Sequence, residues 1–329
     1  MSLGKNKIAN KVKGAGTQQI IVLLVIVFLV VLFSLMSDSF RKYTTFVTMS
    51  NFMYYILLMS IGVTFPLITG GVDLSMGTGL VCYAIVASYV MKTGGMPVWV
   101  GMLVAVGFSV LVGFINGIII AKLELPPFIT TLCTMMMVRG LGSILTGSQS
   151  GVWPMAGEEG GWVRSIFKIT VNDTIIPIGL IWMIILIVIM TVVLRKTRVG
   201  RYIIAIGSNK EALRLSGVNV IKWHVIAYMI CGFFAGLAAI AYACTFTSIT
   251  PGTGAGFELE AIGGAIIGGT STTGGYGTVV GALLGVLIIS LLKTGLPFIG
   301  LQANWQQIIT GIILLVAVMA DIAKRRKSN

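Results

Sequence analysis

Three carboxylates stand in stretches of this chain that otherwise consist of apolar residues and glycine. Asp73 lies in TGGVDLSMGTG (69–79), and Glu258 and Glu260 lie in GFELEAIGGAIIGG (256–269). A carboxylate at membrane depth costs several kcal/mol unless it faces protein or water. Two kinds of chemistry follow: polar contact with a solute that passes between helices, or capping and ion pairing that hold helices together. For Asp73 and Glu258 both interpretations stay open.

A second stretch that could carry a function is GSNKEALRLSG (207–217), whose composition is typical of a water-soluble protein. Ser208 and Glu211 match the S-x-x-E capping box, and Gly217 suits the left-handed residue after a helix, so the pattern predicts a helix over 209–216. Eight residues are marginal alone in water. We expect this helix either to lie on a membrane surface or to insert into a cytoplasmic partner and transmit its motion.

Several other chemistries are missing from the sequence. It has no G-x-x-x-x-G-K-[ST] phosphate loop, no nucleophile elbow, no metal-ligand spacing and no chain of acids suited to a proton pump. His224, the single histidine, borders an apolar run and is interpreted as a core or interfacial residue. Cys82, Cys133, Cys231 and Cys244 are interpreted as packing residues. We therefore expect no enzyme activity, cofactor or metal in this chain.

The composition defines the elements that must position these residues. Of the 329 residues 56% are hydrophobic and 10% charged, and several apolar runs reach the ~20 residues that a membrane helix needs. The fold class is therefore an all-α polytopic membrane protein. The net charge of +13 does not indicate nucleic-acid binding, because the basic residues lie between apolar runs, where membrane orientation places them.

Hydropathy predicts about ten spans, of which the third, eighth and ninth are short. Most Lys and Arg residues fall on one side, which favours both termini in the cytoplasm and permits an inverted repeat of two five-helix halves. The domain prediction is a single transmembrane domain over 1–329 with a cytoplasmic tail at 1–17, an extracytoplasmic loop at 146–173, a cytoplasmic loop at 195–222 and a basic cytoplasmic tail at 321–329. The 146–173 loop, which carries two tryptophans, is either an external platform or an interfacial loop.

Four blocks in order resemble a known family: GGVDLSMG (70–77), LPPFITTLCTMMMVRG (125–140), KTRVGRYIIAIGSNKEALRLSGVNV (196–220) and ELEAIGGAIIGGTSTTGGYGTVVGALLG (258–285). The chain is similar over nearly its whole length to permease subunits of bacterial ABC importers for simple sugars such as ribose, xylose and galactosides. Branched-chain amino acid permeases are more distant relatives. Ser208 and Leu213 replace a usual glycine and alanine, and Glu260, Gly263 and Gly264 stand at varied positions. These departures leave the sugar undefined.

The resemblance implies a multi-pass protein of the bacterial plasma membrane that works by alternating access. Its implied partners are a cytoplasmic ABC ATPase that binds the ATP, an extracytoplasmic sugar-binding protein, a second permease copy and membrane lipid. It also implies that the charged stretch couples the ATPase to the bundle, through Ser208, Asn209, Lys210, Glu211, Ala212, Leu213, Arg214, Leu215 and Gly217. Candidate pathway or structural polar residues are Asn51, Asp73, Ser75, Asn116, Thr130, Glu258, Glu260 and Asn304. An amino acid or other small-solute ABC permease and a secondary transporter remain alternatives.

Overall fold

The structure is a computed structural model that describes residues 2–326. Within that range the chain forms eleven α-helices, three 3₁₀ turns and one small hairpin. The helices are α1 (Ser2–Met36), α2 (Tyr43–Ile68), α3 (Met76–Gly94), α4 (Val98–Lys122), α5 (Pro127–Leu145), α6 (Gly179–Lys196), α7 (Arg198–Leu215), α8 (Val220–Thr245), α9 (Phe257–Ile267), α10 (Val279–Gly295) and α11 (Ala303–Arg326). The 3₁₀ turns are Asp38–Arg41, Gly161–Ile166 and Leu296–Ile299.

Seven of the described helical segments are long and apolar enough to cross a membrane. They are Gln18–Met36, Tyr43–Ile68, Val98–Lys122, Pro127–Leu145, Gly179–Lys196, Val220–Thr245 and Val279–Ile299. With one two-stranded sheet beside them, they confirm an all-α polytopic membrane protein. Three predicted spans do not meet the criteria of length and apolar composition. They are α3; α9, which has 11 residues; and α11, whose apolar part is Asn304–Val316.

Helices α2 and α8 form the centre of the bundle and are mostly buried by the other helices. Small residues allow α4 to approach α8 closely. A Cβ atom on Gly113 would overlap the Tyr228 carbonyl oxygen, and one on Gly232 would overlap the Ser109 carbonyl oxygen. Such contacts stabilise helix pairs in lipid by close van der Waals packing.

The segments predicted as a cytoplasmic tail and a cytoplasmic loop contain more helix than predicted. Helix α1 begins at Ser2 and so includes the predicted N-terminal tail, and α7 makes the predicted loop at 195–222 largely helical. In the 146–173 segment the turn Gly161–Ile166 precedes strands β1 (Ile169–Val171) and β2 (Thr174–Ile176), which pair antiparallel. Asn172 and Asp173 join the strands with positive φ angles of 48° and 60°, as a tight hairpin turn requires.

The exposed 210–215 helix and the polar clusters

Helix α7 is divided by a kink at Asn209, whose backbone is extended (φ −163°, ψ 96°). Beyond the kink lies a short helix, residues 210–215, which we call the 210–215 helix. The Asn209 side-chain oxygen accepts a hydrogen bond from the Ala212 N–H at 2.9 Å. Asn209 is therefore the N-cap, and the predicted Ser208–Glu211 capping box is wrong by one residue. Asn and Ser cap equally well, so the sequence pattern alone could not separate them.

The C-terminal end of the 210–215 helix agrees with the sequence prediction. Gly217 has a φ of +80°, and its N–H bonds to the Arg214 carbonyl oxygen at 3.0 Å. The Ser216 N–H bonds to the Ala212 carbonyl oxygen at 3.2 Å. A left-handed glycine therefore ends the helix after less than two turns.

The 210–215 helix projects from the bundle with most of its side chains exposed. Arg214 and Glu211 form an ion pair at 2.7 Å, and Lys210 pairs with Glu124, in the turn between α4 and α5, at 3.3 Å. Leu215 is 78% exposed. Exposed ion pairs contribute little to stability. The helix thus presents charges and one large apolar side chain to whatever covers this end of the bundle.

The base of the 210–215 helix is fixed tightly to the bundle through Gly207. A Cβ atom there would overlap both the Ile68 carbonyl oxygen at the end of α2 and the Gly275 nitrogen. These two groups are hydrogen-bonded to each other at 2.8 Å. Backbone at 207 therefore lies directly against the end of α2 and the turn before α10.

Asp73, Ser75 and Asn116 form one buried network at the start of α3. Asp73 Oδ1 accepts from the Ser75 N–H at 2.9 Å and from the Ser75 hydroxyl at 2.6 Å, and the Asn116 amide donates to Ser75 Oγ at 3.0 Å. All three residues are at most 3% exposed. This geometry favours the structural interpretation of Asp73, a carboxylate that orders the turn leading into α3.

Glu258 and Glu260 have different surroundings at the start of α9. Glu258 Oε1 accepts from the Gly256 N–H at 3.1 Å, and its other oxygen packs against Gly77 of α3 without a hydrogen-bond partner among the described residues. Glu260 instead pairs with Lys293 of α10, whose Nζ lies 2.7 Å from Oε1 and 2.9 Å from Oε2. The Lys293 ammonium also donates to the Tyr55 hydroxyl at 3.0 Å.

Aromatic rings surround the Lys293 ammonium. Its Nζ lies 4.8 Å from the ring centroid of Phe257, 5.2 Å from Phe52 and 5.7 Å from Tyr55. Such cation–π contacts stabilise an ammonium away from water. Lys293 was not predicted as the partner of Glu260, although opposite charges in two apolar helices are a detectable signal.

The remaining polar candidates do not join one site. Thr130 is buried, Asn51 is half-buried and Asn304 is exposed, and none of the three hydrogen-bonds to the Asp73 or Glu260 groups in the described part of the chain. His224 is buried as expected, with Nε2 3.2 Å from the Thr69 hydroxyl. The residues that the structure describes contain no group of three or more His, Cys, Asp or Glu side chains placed to hold a metal ion.

Arg164, in the 146–173 segment, is a structural residue that sequence analysis missed. It is 6% exposed, and its guanidinium donates to the carbonyl oxygens of Trp153, Pro154, Cys244 and Phe246 at 2.8–3.3 Å. The Trp153 indole is buried and donates to the Ala84 carbonyl oxygen at 3.0 Å. Burial, followed by the nearby Arg164 charge, lowers the pKa of Lys168. The segment is thus attached to the middle of α3 and to the C-terminal end of α8.

Comparison with known proteins identifies the family. The ribose import permease protein of Escherichia coli (strain K12) is 34% identical over 273 residues, 82% of each chain. The fructose import permease protein of Bifidobacterium longum (strain NCC 2705) is 33% identical over 274 residues, 82% of this chain and 80% of that protein.

The galactose/methyl galactoside import permease protein of Haemophilus influenzae is 33% identical over 313 residues, 87% of this chain and 90% of that protein. No solved structure matches this chain significantly. The family described as branched-chain amino acid transport system / permease component matches residues 45–318. The chain forms a multi-pass helical bundle, its relatives are similar over most of their length, and the family matches most of the chain. The protein therefore belongs to this permease family.

Proposed function

We propose that this chain is the membrane-spanning permease subunit of an ATP-driven ABC importer for a monosaccharide. The observation that carries the proposal is the similarity, at about one third identity over at least 80% of the chain, to permeases named for ribose, fructose and galactose import. The chain takes no cofactor of its own, because ATP is bound by the partner ATPase. It resides in the bacterial plasma membrane.

The proposed topology has ten spans, with both termini in the cytoplasm and with α9 as a discontinuous span. Support for an inverted repeat comes from α2 and α8, the two long buried helices. Each is followed by a non-helical stretch and then by a further helix, α3 or α9. Asp73 lies just before the start of α3, and Glu258 lies in the first turn of α9. Discontinuous helices at repeat boundaries are typical of transport pathways.

In this proposal the 210–215 helix docks into the cytoplasmic ABC ATPase. Its exposed charges and Leu215 provide the contact, and Gly207 connects the helix to α2 and α10. ATP binding draws two such helices together in a pair of permease copies and opens the bundle outward; hydrolysis reverses the change. A helix lying free on the membrane surface would have no such coupling.

Solute reaches the bundle from an extracytoplasmic binding protein, which carries most of the selectivity. The 146–173 segment, attached by Arg164, forms the outer surface that this protein contacts. Of the polar candidates, Glu260 faces a cavity, whereas Asp73, Ser75 and Asn116 stabilise the start of α3.

The test is reconstitution of the purified permease in liposomes with its ATPase and binding protein. We expect ATP-dependent uptake of D-ribose, D-fructose or D-galactose, and no uptake with an ATPase that cannot hydrolyse ATP. Uptake driven by an ion gradient without any ATPase would show a secondary transporter instead. Size-exclusion chromatography with light scattering checks for the second permease copy.

An amino acid permease is the second candidate, because the matching family is described by branched-chain amino acid transport. The same liposomes, supplied with labelled L-leucine, separate the two substrates. ATP-dependent leucine uptake without sugar uptake would replace the sugar proposal and leave the ATPase coupling intact.

A further inference from the structure

A cavity of about 500 Å³ lies between α9, α10 and α11. Its volume falls within the range of small-molecule sites, about 300–1,000 Å³. The walls are mostly apolar, with Phe257, Ile289 and Leu314 among them. Polar groups come from all three helices: Glu260, Lys293, Gln306, Gln307 and Thr310.

The charged groups of this cavity lie deep in the bundle. Tyr55, which accepts a hydrogen bond from Lys293, is halfway along the 26-residue helix α2. Glu260 and Lys293 are only about one fifth exposed. Ionisable residues at this depth are rare and typically mark a functional pathway.

The hydrogen-bonding capacity of the Glu260–Lys293 pair favours one class of ligand. Lys293 has three N–H donors, and the two Glu260 oxygens and the Tyr55 hydroxyl occupy them. Each Glu260 oxygen keeps a free lone pair, so the carboxylate still accepts from a hydroxyl. The Gln306 and Gln307 amides both donate and accept. The cavity therefore has acceptors and neutral donors for a ligand with several hydroxyl groups.

Charge disfavours ligands that carry a net charge. The ion pair is already neutral, so an anionic or cationic solute would bring an uncompensated charge to membrane depth, at a cost of several kcal/mol. A neutral polyol brings none. Its C–H faces can contact Phe257 and Leu314, while its hydroxyls meet Glu260, Gln306, Gln307 and Thr310.

We propose, building on the importer function above, that this cavity is a weak monosaccharide subsite of the translocation pathway. Glu260, Gln306 and Gln307 contact the sugar hydroxyls. Lys293 is a positioning residue, since it holds the Glu260 carboxylate with its free lone pairs toward the cavity.

A labelling experiment tests occupancy directly. Thr310→Cys is made in a Cys133→Ser background, since Cys133 is the exposed native cysteine. We expect a membrane-impermeant maleimide to label T310C and D-ribose, D-fructose or D-galactose at millimolar concentration to slow that labelling several-fold. Glu159→Cys, on the exposed 146–173 segment, should label at the same rate with and without sugar. Failure to label T310C, or labelling unaffected by any of these sugars, would overturn the subsite.

Transport kinetics give the second readout. Gln307→Leu should raise the KM for sugar uptake about 10-fold with little change in kcat, because one hydrogen bond to the bound sugar is lost. Gln19→Leu, on α1 and outside the cavity, is the matched control. If the wild type takes up sugar and Gln307→Leu has an unchanged KM, the subsite proposal is rejected while the importer proposal stands. Absence of ATP-driven sugar uptake by the wild type would reject the importer proposal.

Discussion

Asn209 accepts a hydrogen bond from the Ala212 N–H at 2.9 Å, and this contact starts the 210–215 helix. We expect Asn209→Ala to destabilise the helix by about 1 kcal/mol. If the docked ATPase requires the helix, its affinity for the permease should fall roughly fivefold. Asn209→Ser, which keeps a cap, should restore most of it. ATPase binding to permease in nanodiscs is the measurement; equal affinities for Ala and Ser variants would contradict the role of the cap.

Variants of the exposed Glu211–Arg214 ion pair can distinguish an effect on docking to the ATPase from an effect on folding. Reversing either charge should lower transport-coupled ATP hydrolysis while the thermal stability changes little, because exposed ion pairs contribute under about 1 kcal/mol. The double reversal, Glu211→Arg with Arg214→Glu, restores an ion pair within the helix but not the charges seen by the partner. Normal coupling in the double reversal would show that these charges do not seat the helix.

Gly207 is the point at which the 210–215 helix meets the bundle. Gly207→Ala introduces a methyl group against the Ile68 carbonyl oxygen, so we expect ATP-dependent uptake to fall at least several-fold. Gly107→Ala is the matched control, because a Cβ atom there has open space and alanine favours the helix. The measurement is ATP-dependent uptake and thermal stability of both variants. Equal uptake by the two variants would rule out a tight connection at 207.

Arg164 should be needed for the stability of the 146–173 segment. Arg164→Met leaves four carbonyl oxygens without their donor, and we expect the free energy of unfolding to fall by about 3 kcal/mol. Arg164→Lys, which keeps the charge but fewer donors, should fall in between. Arg41→Met removes an exposed Arg41–Asp38 pair and should change stability by under about 1 kcal/mol. Thermal melts of the three variants in the same detergent are the measurement. Similar melting temperatures for Arg164→Met and Arg41→Met would show that Arg164 does not attach the 146–173 segment.

The sequence predicted elements where local chemistry decides them. The apolar runs gave the membrane class, and the residues of α9 correctly indicated a short helix. Gly217 also has the positive φ that its position after a helix requires. The cap prediction failed because Ser208 and Asn209 are neighbours that cap equally well. The ion pair in the bundle was missed because it depends on contact between distant residues. Lys293 and Glu260 are 33 residues apart, and only the packing of α9 on α10 brings them together.

Helices α3 and α9 begin close to each other, since the Glu258 carboxylate packs against Gly77 in the first turn of α3. The first turn of any helix carries a partial positive charge. Two such turns at one depth would attract an anion, but Asp73 and Glu258 already occupy that role. The positive ends of both helices are therefore each faced by a carboxylate that the chain itself supplies.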